Sequence, residues 1–297
     1  MDFSSILNLV IGLVFIYFLI ALACSTIQEL IAHYLDLRAK NLEKWLKDTF
    51  RENSLGEKFL EHRLIDGLTA QGRKASYIPA KVFSGVLLDF INNTDVPYDL
   101  ESLRKAVKTS ELPEDLKRRL SQSIAEAENG LEDVRRDIEG WFNDCMDRIS
   151  GTYKKKAQFF IIIISVCVVL LLNVDTINMV QYLYNHPAET EALADQISEN
   201  ISEWEPKLEE TNPDSTSTEK QIEIKLEELK GIQASLDASQ LPLGWQNGDG
   251  QISFNELINK ILGLLFTIVA GIVGAPFWFQ TLNKLVNLRG VGEKPKS

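Results

Sequence analysis

The chemistry most nearly spelled out by this chain is a calcium site. From Trp245 to Glu256, the side chains of Asn247, Asp249, Gln251, Ser253 and Glu256 recur at the spacing of a twelve-residue EF-hand loop, with Gly250 at the turn and Ile252 at the apolar eighth position. Trp245 fills the first position, where an oxygen ligand belongs, and Leu241-Pro242-Leu243-Gly244 stands where the incoming helix should be. The alternative is a Gly-rich turn in which Ser253 caps the following helix and Glu256 reaches back to it. Loss of one ligand from a hard-cation site weakens it, so the turn is favoured; calcium is the one cofactor to consider, and none is required.

Other constellations are weaker. His33, His62 and His186 are scattered, and no Cys-x-x-Cys pair, Walker-type glycine loop or Ser/His/Asp grouping stands out. The three cysteines, Cys24, Cys145 and Cys167, are too few for a disulfide framework. The expectation is a protein that is not an enzyme and has no nucleic-acid partner.

The elements that would position any site are dominated by three apolar runs. Ile6 to Cys24, Ala157 to Val174 and Ile261 to Phe279 carry no charged side chain. At about 1.5 Å per residue each crosses most of a hydrocarbon layer about 30 Å thick. Between them the charge alternates. Residues 33–156 hold 22 basic and 22 acidic side chains, with Arg38, Lys40, Lys44, Lys154, Lys155 and Lys156 near the runs, whereas residues 175–256 hold 4 basic against 17 acidic. The tail from Gln280 is basic again. By the positive-inside rule the expected order is a first span in 1–32, a cytoplasmic helical domain in 33–156 and a second span in 157–174. An acidic extracytoplasmic segment in 175–256, a third span in 257–279 and a cytoplasmic basic tail in 280–297 complete it, with the N-terminus outside and the C-terminus inside. Ala21-Leu22-Ala23-Cys24 loosely resembles a lipoprotein cleavage site, but no basic residue precedes it, so a retained span is expected.

The fold class expected is mainly α. Apolar positions three or four apart run from Leu116 through Leu131, Ile138 and Ile149, which predicts a helix over 112–149 that continues into the second span as one rod of up to about 90 Å. The first span is likewise expected to continue through Leu35, Leu42, Trp45 and Phe50, with shorter helices over 55–68 and 80–91. In the acidic segment, the stripes Leu193/Ile197/Ile201/Trp204/Leu208 and Ile222/Leu226/Leu229/Ile232/Leu236 predict a helical hairpin or an oligomeric coiled coil. In the third span, Ala270 with Gly274 and Gly271 with Ala275 form two small-residue faces suited to a close helix contact, within the chain or between copies, and Pro276 predicts a kink.

Three stretches, Leu37-Arg38-Ala39-Lys40-Asn41-Leu42-Glu43, Leu172-Asn173-Val174-Asp175-Thr176-Ile177 and Gly274-Ala275-Pro276-Phe277-Trp278-Phe279, carry a likeness. With the closing Leu282 to Gly290, the chain resembles bacterial three-span membrane proteins to which no activity is attached. The resemblance implies an inner (plasma) membrane location and adds no catalytic residue. Function therefore reads first as a non-catalytic integral membrane scaffold, oligomeric or with a membrane protein partner in the lipid bilayer. The alternatives are an oligomeric channel or membrane-permeabilising effector, and a calcium-responsive sensor using the Asn247 to Glu256 loop.

Overall fold

The computed structural model describes residues 2–35, 37–50, 55–67, 75, 77–91, 99–204, 218–239, 241–245 and 254–292. Among them every regular element is a helix. Three of these helices are long and apolar enough to cross a membrane, Phe3–Ala32, Leu131–Leu172 and Phe254–Val273. The chain divides into two units, one formed by Met1–His33 with Ala157–Ser297 and the other by Tyr34–Lys156.

The Tyr34–Lys156 unit contains α2 (Leu37–Thr49), α3 (Leu55–Leu60), α4 (Arg63–Asp66), α5 (Ala80–Ile91), α6 (Leu100–Thr109), α7 (Glu114–Glu126) and the first part of α8 (Leu131–Leu172). Its core is aromatic. Phe83 stacks on Phe142 with ring centroids 4.2 Å apart and meets Phe59 at 5.0 Å, while Trp45 and Trp141 close over the same ring at 6.0 Å each. Leu46, Ile78, Val86, Leu87 and Val107 fill the space around them. Gly56 permits the tightest approach, since a Cβ there would stand 3.0 Å from the Leu46 carbonyl oxygen on α2. α6 was not anticipated: it is a short polar helix started by Asp99, whose carboxylate accepts from the Ser102 N–H, and it buries Leu103 and Val107, with Leu100 and Ala106 packed beside them.

The expected rod over 112–149 is interrupted. Gly130, at φ +77°, turns the chain between α7 and α8, and the Asp133 carboxylate accepts from the Glu128 and Asn129 N–H groups to hold that turn. What remains is α8 itself, 42 residues and about 63 Å long. The first span is not one helix with α2 either, because α1 (Phe3–Tyr34) ends with two residues left before α2 begins at Leu37.

The other unit is built around α1. Ile11, Ile16, Phe18, Leu19, Ile20, Ala21 and Cys24 are fully enclosed. α1 is covered by the C-terminal part of α8, by α9 (Thr176–Asn185), α10 (Pro187–Asn200) with its 3-10 turn Ile201–Trp204, α11 (Thr218–Ala238), α12 (Phe254–Val273) and α13 (Ala275–Gly292). In its most apolar stretch 67% of residues are buried, against 22% in α8 and in α12. The most hydrophobic helix is thus the internal one. α1 exposes large apolar side chains only at its ends, at Phe3, Ile6 and Tyr34, whereas the other two expose whole faces: Phe159, Ile162, Ile163, Leu170 and Leu171 on α8, and Leu257, Ile258, Ile261, Leu262, Leu265, Phe266 and Val269 on α12.

The apolar stripes of the acidic segment are buried together with α1. Leu193, Ile197, Trp204, Ile232 and Leu236 enter the same apolar cluster as α1, with Trp204 edge-on to Phe18 at 5.5 Å, while Leu226 stays exposed and Leu208 lies outside the described residues. A stripe can be buried by any apolar surface, and α1 offers a larger one than a second amphipathic helix.

The third apolar run is also two helices. The break falls at Gly274, whose φ of +99° suits glycine, and Pro276 then sits in the first turn of α13, where its missing N–H has no partner to lose. α13 runs back along α1. Gly271 lies level with Cys24, Trp278 and Phe279 meet Tyr17 and Phe18, and Arg289 reaches α10, where it donates to Asp195 at 2.6 Å. At the other end of α1, Lys225 of α11 pairs with Glu29 at 3.0 Å. The Arg289–Asp195 pair joins the basic tail expected inside to the acidic segment expected outside, and the Lys225–Glu29 pair joins that segment to the end of α1.

Candidate functional site

The most organised polar feature sits where α8 ends. An α-helix leaves its last four carbonyls without internal partners, and away from water each must find another donor. Here Val169 O accepts from the Val174 N–H at 3.2 Å, Leu170 O from Trp245 Nε1 at 2.9 Å, and Leu172 O from the Gly244 N–H at 2.8 Å. Asn173 turns the chain at φ +48°, a conformation that asparagine tolerates, and its Nδ2 donates to Gly244 O at 2.8 Å.

Asp175 then starts α9, its Oδ1 accepting from the Ile177 and Asn178 N–H groups at 2.9 and 3.3 Å. That carboxylate is seated on Gly263 of α12, where any Cβ would fall on Oδ1. Next to it runs a hydroxyl chain. Thr267 Oγ1 donates to Gly263 O at 3.1 Å, which commits its one proton; Thr176 must therefore donate to Thr267 at 2.8 Å, and Tyr17 to Thr176 at 2.9 Å. One turn further along α12, Ser165 of α8 donates to Ile268 O at 2.9 Å, and a Cβ on Gly271 would collide with that serine while standing 3.5 Å from Cys24 Sγ. Trp278 Nε1 donates to Ala270 O at 2.7 Å, so α13 supplies the cap for the end of α12.

These groups join α1, α8, α9, α12 and α13 through directed hydrogen bonds between apolar faces. Chemically the layer is a clamp: it holds hydroxyl protons in a fixed direction and presents a carboxylate already committed to two backbone donors. Of the anticipated small residues, Ala270, Gly271 and Ala275 lie buried in contacts within the chain, while Gly274 forms the break and faces no helix. Sequence reasoning missed Tyr17, Thr176, Gly263 and Thr267. A signal was present on α12, since Gly263, Thr267, Ala270 and Gly271 follow one face at intervals of four, three and one.

Comparison with family models, with curated proteins and with solved structures returned no match for this chain.

Of the anticipated calcium ligands, Asn247, Asp249, Gln251 and Ser253 lie outside the described residues, and Glu256 occupies the first turn of α12. Trp245, at the loop's first position, caps α8 and carries the Lys260 ammonium 4.8 Å above its ring. A cation beside that position works against a divalent ion. Among the described residues no three His, Cys, Asp or Glu side chains converge on a metal geometry.

A second polar feature lines an open cleft of about 500 Å³ formed by Asp195, Ser198, Glu199, Val286, Asn287, Arg289 and Gly290. Its Arg289 is buried to 9% exposure and is spent on Asp195 and Ser198. A third is the Glu29–Lys225–Glu228 triad, with both carboxylates 3.0 Å from Nζ. Burial acts against the Lys225 charge, but Glu228 and Glu29 outweigh it and raise the pKa above the ordinary lysine value. A raised lysine pKa gives stability that is complete below the unfolded-state value of 10.5 and is lost as pH rises through the folded-state value. The melting temperature should therefore fall more steeply above pH 10.5 in the native protein than in Lys225→Met. Equal alkaline slopes in differential scanning fluorimetry would dismiss the triad as a contributor.

Proposed function

We propose that this protein is a non-catalytic integral membrane scaffold in which α8 joins a helical unit with its own core to the bilayer. One observation carries this reading. On that single helix, Val134, Ile138 and Phe142 are buried in the core of the Tyr34–Lys156 unit, while Phe159, Ile162, Ile163, Leu170 and Leu171 expose an apolar face. Such a face is matched by hydrocarbon, and α12 extends it. α1 supports these two helices from inside. The charge pattern of 33–156 supports a cytoplasmic location for the cored unit, and the resemblance to bacterial three-span proteins supports the inner membrane.

Two measurements test the scaffold. The full chain should remain in membranes through alkaline carbonate extraction, and native mass spectrometry from nanodiscs should give an oligomer or a partner complex. A single chain alone in the disc would remove assembly from the reading. The Arg289–Asp195 contact supports a topology in which both residues lie on one side, because no bilayer can stand between groups in contact, and this reading has its own expectation. In a variant with Cys24, Cys145 and Cys167 replaced by serine, an impermeant thiol reagent should label Glu191→Cys and Asn287→Cys from the same side. Labelling from opposite sides would restore the charge-based arrangement.

A channel reading is supported by α11. It lies along α1, paired to Glu29, yet exposes Glu223, Glu227, Lys230 and Asp237. Charged faces beside membrane-spanning helices turn toward water rather than lipid, and copies arranged with α11 inward would share an aqueous interior. Cation conductance in planar bilayers that falls in Glu223→Gln/Glu227→Gln would support it over the simple scaffold.

A further inference from the structure

Where α8 leaves the Tyr34–Lys156 unit and its exposed apolar face begins, the helix carries a run of lysines. Lys154, Lys155 and Lys156 are exposed and consecutive, so at about 100° per residue they spread over more than half of the helix circumference. The Lys156 ammonium donates to Asn41 Oδ1 of α2 at 3.3 Å. That contact brings α2 beside the triplet, and α2 presents Lys40 and Lys44, one turn apart and both exposed.

None of these five lysines forms an ion pair among the described residues. The contrast with the next lysine on α2 is instructive, because Lys47 is held by both Glu43 and Glu57. Five like charges gathered without counter-charges repel one another, so the arrangement is stabilised by an anionic partner. Its position says which. Lys156 precedes the exposed Phe159 by three residues, about 5 Å along the helix axis, so on the membrane reading above the ammonium groups stand at the depth of lipid headgroups. Lysine stems also run readily along apolar surface to place their charge there.

We propose that Lys40, Lys44, Lys154, Lys155 and Lys156 form a binding surface for the phosphates of anionic phospholipids in the adjoining leaflet. The inference rests on the membrane reading and goes beyond it, because a span requires hydrocarbon and not any particular headgroup. Each lysine contributes about fivefold to retention of an anionic lipid near the surface.

The test uses the full chain in nanodiscs made of phosphatidylcholine with graded fractions of phosphatidylglycerol. Co-elution of protein and disc is read first, and then the thermal midpoint and the lipids retained in native mass spectrometry. The native protein should gain stability and retain phosphatidylglycerol as its fraction rises. The Lys→Gln variant at all five positions should incorporate equally and lose that dependence, whereas a control with Lys81→Gln, Lys105→Gln and Lys108→Gln should keep it. A chain that does not co-elute with discs overturns the membrane reading and this inference together. A chain that co-elutes without preference for phosphatidylglycerol, or a five-lysine variant that keeps the preference, overturns this inference alone. A midpoint raised equally by inorganic phosphate in phosphatidylcholine discs also overturns it, showing a site for soluble phosphate.

Discussion

Replacing Phe83 with alanine should lower the stability of the Tyr34–Lys156 unit by about 3–5 kcal/mol, the range for emptying a buried aromatic site. Phe83 is fully enclosed and touches Phe59, Phe142, Trp45 and Trp141, so no neighbour can collapse into its place without leaving the others unpacked. Trp45 and Trp141 report the change directly. Their emission should shift to longer wavelength at a lower denaturant midpoint than in the native protein. Phe83→Leu, which keeps most of the volume, should lose much less, and equal losses for the two variants would mean that the aromatic stack is not the keystone described.

The second large effect is expected from one added methyl group. Gly263→Ala places a Cβ on the Asp175 carboxylate, which must then leave its cap on α9 or push α12 away. Loss of the cap costs about 0.5–2 kcal/mol and overpacking about 1–3 kcal/mol, so whichever gives way a loss of about 1–3 kcal/mol follows. The partner substitution distinguishes mechanisms. Asp175→Gly alone loses the cap, but combined with Gly263→Ala it removes the collision, so the double variant should be more stable than the sum of the single losses by more than about 1 kcal/mol. Strict additivity in thermal unfolding of the detergent-solubilised protein would show that carboxylate and glycine do not meet.

How much of this was legible follows from what kind of information each feature needs. The helical class and the three apolar helices rest on composition, which is local. α5 is announced by Ile78-Pro79 and its apolar face, and the structure has it at Ala80–Ile91. The environment of α1 is different, because a uniformly apolar helix reads the same whether lipid or protein surrounds it. Only the contacts with Leu183, Leu193, Trp204 and Phe279 tell the two apart. The hydroxyl chain is hidden for a related reason: Tyr17 and Thr176 are 159 residues apart and Thr176 and Thr267 are 91 apart, so no spacing rule connects them. In the sequence Asn173 and Asp175 are two polar residues where an apolar run closes; their roles as turn and cap appear once Gly244 and Gly263 are beside them. The contact of Arg289 with Asp195 is hidden as well, because the charge rule takes each apolar run as one crossing, whereas this run breaks into two helices at a glycine with φ +99°.

The enclosure of α1 also has a consequence for biogenesis. Synthesis runs from the N-terminus, so α1 leaves the ribosome while its cover, from Ile164 onward, is still more than a hundred residues away. Until then the bilayer is the apolar solvent at hand, and α1 is expected to enter it as a lone span that later exchanges lipid neighbours for protein ones. Nascent chains arrested before α9 should accordingly crosslink to lipid through Phe15 and Phe18, and chains arrested after α13 should not. Maturation would then be a slow step separate from insertion, and the stage most exposed to quality-control proteolysis would be the inserted chain still waiting for its last two helices.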